Sequence, residues 1–280
     1  MTKQEEFYTA CVDGDLEVAK RLINNPEVDP AARDNYAIHF ASYNGQTEIV
    51  KLLLADERVD PRDNDNYAIR WASMEGRTET AKLLLADGRV DPAAEDNYAI
   101  RWASWFGQTD IIKLLLADNR VNPAARDNLA IRDASIEGHT DIVKLLLADE
   151  RVDPTAKDNY AIRYASIEGH TEVVKLLLAD DRVDPTDRDN IAIRWASMEG
   201  HTEVVRLLLA DNRVDPADRD NYAIQWASHF GDTDVVKLLL ADKRVNPTAR
   251  DNFAIREASR RGHTEIVKLL EQAIKERSND

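Results

Sequence analysis

Short apolar runs with helical spacing alternate along this chain with Asp-Pro turns and single glycines, and residues 153–183 carry one full cycle. Asp153-Pro154 marks a turn that cannot continue a helix. Asp158 or Asn159 can cap a short helix over residues 160–168, and Gly169 ends it as a left-handed C-terminal residue. His170-Thr171-Glu172 opens a second helix with an acid in its first turn. Val173, Val174, Leu176, Leu177 and Leu178 give that helix its apolar surface. Each helix is too short to be stable alone, so each apolar face requires a neighbour.

Repetition supplies the neighbour. Glycines fall at 14, 45, 76, 107, 138, 169, 200, 231 and 262, a constant step of 31 residues. Prolines from 30 to 247 and the Asp-Asn pairs from 34–35 to 251–252 keep the same step with no insertion. A fixed period of this size predicts stacked helix–turn–helix units, each touching only its neighbours. The fold expected is all-α, with nine repeats in one domain over 1–280: an N-terminal cap repeat (1–29), seven internal repeats (30–246) and a C-terminal cap repeat (247–280).

Composition narrows the function classes. Asp and Glu number 52 against 37 Lys and Arg, a formal net charge of −15, which favours neutral or cationic partners and opposes nucleic acid. The single cysteine, Cys11, excludes an intrachain disulfide and a cysteine-rich zinc site. No apolar stretch approaches the length of a membrane span, and the start 1–6 has no apolar signal-peptide core. A soluble, cytoplasmic monomer that does not bind membranes is the expectation.

In register through the whole chain, the units resemble the ankyrin repeat. The family pattern Thr-Pro-Leu-His-x-Ala-Ala-x-x-Gly-His, then Ile-Val and Leu-Leu, is matched by Ile193, Ala196, Gly200, His201, Val204, Val205, Leu208 and Leu209, followed by Val214-Asp215. The variant Asn-Tyr-Ala-Ile-Arg-Trp-Ala-Ser is similar to repeats in ankyrin proteins of giant amoebal viruses, which would imply a host cytoplasm. The resemblance implies an ankyrin-type solenoid and a protein-binding role without catalysis.

Departures from the family pattern carry physical consequences. Tyr67-Ala68 and Tyr98-Ala99 stand where Thr-Pro is usual, so the Thr–His hydrogen bond is missing. Arg70, Arg101, Arg132, Arg163, Arg194 and Arg256 occupy the His column, which only His39 keeps. Asp-Asn is expected to take over capping, and each Arg to pair with a nearby acid. The usual step is about 33 residues. The shorter step here implies short hairpin fingers without extended strand. Gly88, Asn119 and Asn212 are the left-handed candidates after the second helices.

Both ends read as polar caps, so the domain is expected to be complete. Phe7, Ala10, Cys11 and Gly14 keep the frame of the first unit while Glu5 and Glu6 replace Tyr and Ala. The last unit breaks at Glu271 and leaves a polar tail over 275–280. Terminal repeats must present a polar outer face.

Columns that vary on a constant scaffold mark the candidate binding surface. The pair after the invariant Ser includes Tyr43, Met74, Trp105-Phe106, Ile136, Ile167, Met198 and His229-Phe230. Three residues earlier stand Trp71, Trp102, Tyr164, Trp195 and Trp226, which share a helix face with that pair. Trp, Tyr and Arg are the usual hot-spot residues. The Trp column has two readings, packing between repeats as the family's Leu does, or contact with a partner. Trp105, Phe106 and Phe230 are expected in solvent, lining one groove with the finger residues Arg62, Asn64, Lys157, Asp187 and Arg188. An idealised or engineered scaffold without an evolved ligand is the alternative, since recent duplication gives the same regularity. Polyanion binding at Arg256, Arg260 and Arg261 is opposed by the net charge.

No catalytic constellation stands out. His139, His170, His201 and His263 share one column, and stacked repeats separate them by roughly 10 Å. Metal ligand bonds are only about 2 Å. A local capping or turn role fits these histidines, and neither metal nor cofactor is expected.

Overall fold

The computed structural model describes residues 1–278, so the last two residues of the polar tail, Asn279 and Asp280, lie outside it. Two compact units appear: Met1–Ala134 with Lys144–Val152, and Ser135–Val143 with the described residues from Asp153 onward. The first contains α1 (Lys3–Asp13), α2 (Leu16–Ile23), α3 (Ala32–Asn44), α4 (Thr47–Leu54), α5 (Asp63–Met74), α6 (Thr78–Ala86), α7 (Ala94–Trp105) and α8 (Thr109–Leu116). Residues of both units contribute to α9 (Ala125–Ile136) and α10 (Thr140–Leu147). The second contains α11 (Ala156–Ile167), α12 (Thr171–Leu178), α13 (Asp187–Met198), α14 (Thr202–Ala210), α15 (Asp218–Phe230), α16 (Thr233–Ala241), α17 (Ala249–Arg261) and α18 (Thr264–Arg277). These are nine helix–turn–helix repeats, and no strand occurs among the described residues, so the fingers are short loops as expected.

Within each unit, first helices pack on first helices and second on second: α3 on α5 and α4 on α6, for instance, and α13 on α15 and α14 on α16. The invariant columns are what they bury. Ala68, Ile69, Ala72, Ala81, Leu84 and Val90 in one repeat are all at most 1% exposed. Each buried Ile, Leu or Val stabilises by roughly 1.5–3 kcal/mol relative to exposure, which short helices lack in isolation. Gly169 ends α11 at φ +76°, as its place predicted.

The Asp-Asn pair does not cap a helix. In eight repeats the residue before Asp, Asp and Asn are all left-handed, for example Lys157, Asp158 and Asn159 at φ 57°, 57° and 52°. Left-handed backbone costs ordinary residues roughly 1–2 kcal/mol each and is least costly for Asn and Asp. The Asn side chain offsets that cost across the junction. Asn159 Oδ1 accepts from the Asp184 amide at 2.8 Å, and its Nδ2 donates to Asp187 at 2.9 Å. The same acceptor bond runs from Asp60 to Asn35, Asp91 to Asn66, Asn122 to Asn97, Asp215 to Asn190 and Asn246 to Asn221. In the first repeat, Gln4 fills this column and exchanges two bonds with the Asp29 backbone.

The Arg column likewise departs from expectation. Arg101 donates Nε to the Asp96 carbonyl and Nη2 to the Glu95 carbonyl, both at 3.0 Å, instead of binding an acid side chain. Arg70, Arg163 and Arg194 bind equivalent carbonyls. A left-handed turn leaves its carbonyls outside the helix ladder, and a long forked donor reaches them.

None of Gly88, Asn119 and Asn212 is left-handed. An Asp-x-Arg turn ends the second helix instead. In the repeat of α8, Asp118 accepts from the Arg120 amide and side chain, while Arg120 Nη1 reaches the Val90 carbonyl of the preceding repeat at 2.8 Å. Arg120 Nη2 also binds the Leu85 carbonyl, satisfying an orphan group near the end of α6. In the ninth repeat, α18 continues through Arg277, whose guanidinium binds the carbonyls of Val245, Leu240 and Asp242. Residues 275–277 of the polar tail are therefore helical, with Lys275 and Glu276 exposed and Arg277 bound to the preceding repeat.

Candidate functional site

The candidate columns lie on the first helices, whose left-handed starts fix the direction of each helix. In the first unit, Tyr98, Trp102 and Phe106 stack successively at 5.2 and 5.6 Å, one helical turn apart. Trp71 stacks on Tyr67 at 5.1 Å and meets Tyr43 of the preceding repeat at 5.5 Å. In the second unit, Tyr164 stacks on Tyr160 at 4.0 Å, and Trp226 on Phe230 at 5.8 Å. Trp226 also meets His229 edge-on at 4.9 Å. Trp195 stands edge-on to Tyr164 at 6.2 Å.

Exposure separates these residues. Trp105, Phe106 and Phe230 are 39%, 47% and 50% exposed; apart from Met1 they are the exposed large apolar side chains among the described residues. Tyr43, Trp71, Met74, Trp102, Ile136, Tyr164, Ile167, Trp195, Met198, Trp226 and His229 are half-buried. Sequence reasoning placed the three exposed residues correctly. It missed the Tyr column one turn earlier, which supports Trp71, Trp102 and Trp226; the recurring Tyr-x-x-x-Trp spacing was the available signal.

A cavity of about 80 Å³ opens beside Trp105, lined also by Arg101, Trp102, Leu129 and Asp133. Its origin is local: Leu129 and Asp133 occupy columns that hold aromatic side chains in most repeats, and their smaller side chains leave the volume unfilled.

Electrostatics at the far end of the second unit differ. His229 Nδ1 lies 3.0 Å from Glu257 Oε2, and Arg260 Nη2 donates to the same oxygen at 2.7 Å. Arg260 and then His229 hold the Glu257 carboxyl down to about 2. Arg260, a candidate for polyanion contact, is thus occupied by an acid. The finger residues are also engaged: Arg62 pairs with Asp60, Arg188 with Asp158, and Asp187 accepts from Asn159. The Lys157 and Asn64 carbonyls accept from Arg163 and Arg70.

The histidine column is structural but not local. His170 Nε2 lies 2.7 Å from the Ile136 carbonyl, and His201 Nε2 2.7 Å from that of Ile167. His263 reaches the His229 carbonyl at 3.1 Å. Gln46, Arg77 and Gln108 make the equivalent bonds to Val12, Tyr43 and Met74. Each closes the end of the preceding repeat's first helix. No group of three or more His, Cys, Asp or Glu is placed to hold a metal ion among the described residues. No described helix is long and apolar enough to cross a membrane.

A family model described as Ankyrin repeats (3 copies) matches residues 7–96, 98–189, 129–220 and 193–280. No curated protein matches the chain.

Proposed function

We propose that this chain, which belongs to the ankyrin-repeat family, binds another protein without catalysis, through the aromatic columns that close its first helices. Ankyrin repeats are in general protein-interaction modules. The observation that carries the specific reading is the position of Trp105, Phe106 and Phe230. All three fall in the paired columns at the helix ends, Trp105 and Phe106 side by side in one repeat and Phe230 in the equivalent column of another, and exposed large apolar side chains of this kind mark interaction surfaces.

The partner that fits is a neutral or basic protein surface with large apolar side chains. An apolar side chain can enter the cavity beside Trp105, while the chain's formal charge of −15 favours basic flanks and repels polyanions. The aromatic pair at 105–106 recurs in no neighbouring repeat, which an idealised scaffold would not require. Photo-crosslinking tests the placement. A benzophenone side chain at position 106 or 230 should crosslink a bound partner, and one at Lys113 should not. Equal crosslinking from all three positions would overturn it.

A further inference from the structure

Asp232 stands in the column where Gln46, Arg77, Gln108, His170, His201 and His263 bind the preceding repeat. His201 and His263 on either side of it in the stack each contact a carbonyl that ends the preceding first helix. The corresponding carbonyl for Asp232 is that of Met198, and no side chain of the described residues donates to it. A carboxylate offers no proton, and its side chain is shorter than His or Gln. Yet Asp232 enters the same space as the histidines. A Cβ built on Gly200 would lie 2.6 Å from Asp232 Oδ1, as one on Gly169 would lie 2.6 Å from His201 Nδ1. Asp15, in the same column of the first repeat, caps its own helix by accepting from the Val18 amide at 3.0 Å. Asp232 also precedes a helix, α16, but does not cap it.

We infer that Asp232 makes the junction between the repeat of α13–α14 and that of α15–α16 a charge-controlled opening point: its ionised carboxylate leaves this junction without the bond that closes its neighbours, and neutralising it tightens the junction. The charged groups facing it are Glu199 at the end of α13, His201 before α14 and His263 before α18. Burial, then the Glu199 carboxylate, raise its pKa above the usual Asp value, against the two histidines. The sign follows: stability from this residue is complete below the unfolded Asp value and lost as pH rises through the raised folded value. Opening here would move Trp195 and Met198, on α13, relative to Trp226 on α15.

Native-state hydrogen exchange on the full chain tests this with Asp232→Gln, which installs the donor found at Gln46 and Gln108. At neutral pH, amides at the ends of α13 and the start of α16 should exchange about fivefold more slowly in the variant, the effect of one recovered hydrogen bond. That ratio should narrow as pH falls toward 4, where the wild-type carboxyl protonates. Asp232→His provides a second variant, with slower exchange at neutral pH by the same route. Unchanged exchange in both variants at neutral pH, or a Gln-to-wild-type ratio independent of pH, would overturn the inference.

Discussion

Asn190 and Asp215 join consecutive repeats: the Asp215 amide donates to Asn190 Oδ1 at 2.8 Å, while Asn190 Nδ2 donates to Asp218 at 2.8 Å. Asn190 is itself left-handed, at φ 52°, so one residue accepts backbone strain and repays it with an inter-repeat bond.

Two substitutions separate those contributions. Asn190→Gly keeps the left-handed backbone and loses the bonds, and should destabilise by about 1–3 kcal/mol. Asn190→Ala adds the left-handed penalty of roughly 1–2 kcal/mol. Urea midpoints should fall in the order wild type, Gly, Ala. Equal midpoints for Gly and Ala would remove strain from the explanation.

Arg101 tests whether the Arg column serves carbonyls or acids. Arg101→Ala leaves two part-buried carbonyls without their donor and should cost about 1–2 kcal/mol. Asp96→Asn leaves those carbonyls served and breaks only the exposed pair with Arg126, so it should cost under about 1 kcal/mol. If the two variants lost equal stability in urea unfolding, acid pairing would be the correct description of this column.

The Asp-x-Arg turns set the acid response. Side-chain hydrogen bonds from the adjacent Arg lower the pKa of Asp56, Asp87, Asp118, Asp149, Asp180, Asp211 and Asp242. Their stabilisation is present above the ordinary Asp value of 3.8 and is lost as pH falls through the lowered folded values. The urea midpoint should therefore drop progressively below about pH 4, and Asp118→Asn should flatten part of that drop. A midpoint constant down to about pH 2.5 would contradict this assignment.

Much of the fold was legible because its signals are local or periodic. The step of 31 residues located every repeat, Gly169 and its equivalents marked the first-helix ends, and the Ala, Ile, Val and Leu columns named the core. What escaped was a choice between partners. Asn159 reads as a cap because Asn caps helices, but its side chain reaches a backbone amide 25 residues away, which no local rule weighs. Arg120 and Gln4 escaped similarly, since their roles appear only when one repeat is laid on the next. The exposed aromatics were legible because they break the column pattern; the cavity at Leu129 and Asp133 was not, because it is defined by what those residues fail to fill.

Binding through the aromatic columns is tested most directly by affinity. Trp105, Phe106 and Phe230 replaced together by Ala should weaken a partner by at least 100-fold, from about 2 kcal/mol or more at hot-spot positions. The helical circular dichroism should not change, and the urea midpoint should move little because all three side chains are exposed. Calorimetric titration of one purified partner into wild type and triple variant gives the answer; an unchanged Kd with an intact fold would contradict the central claim.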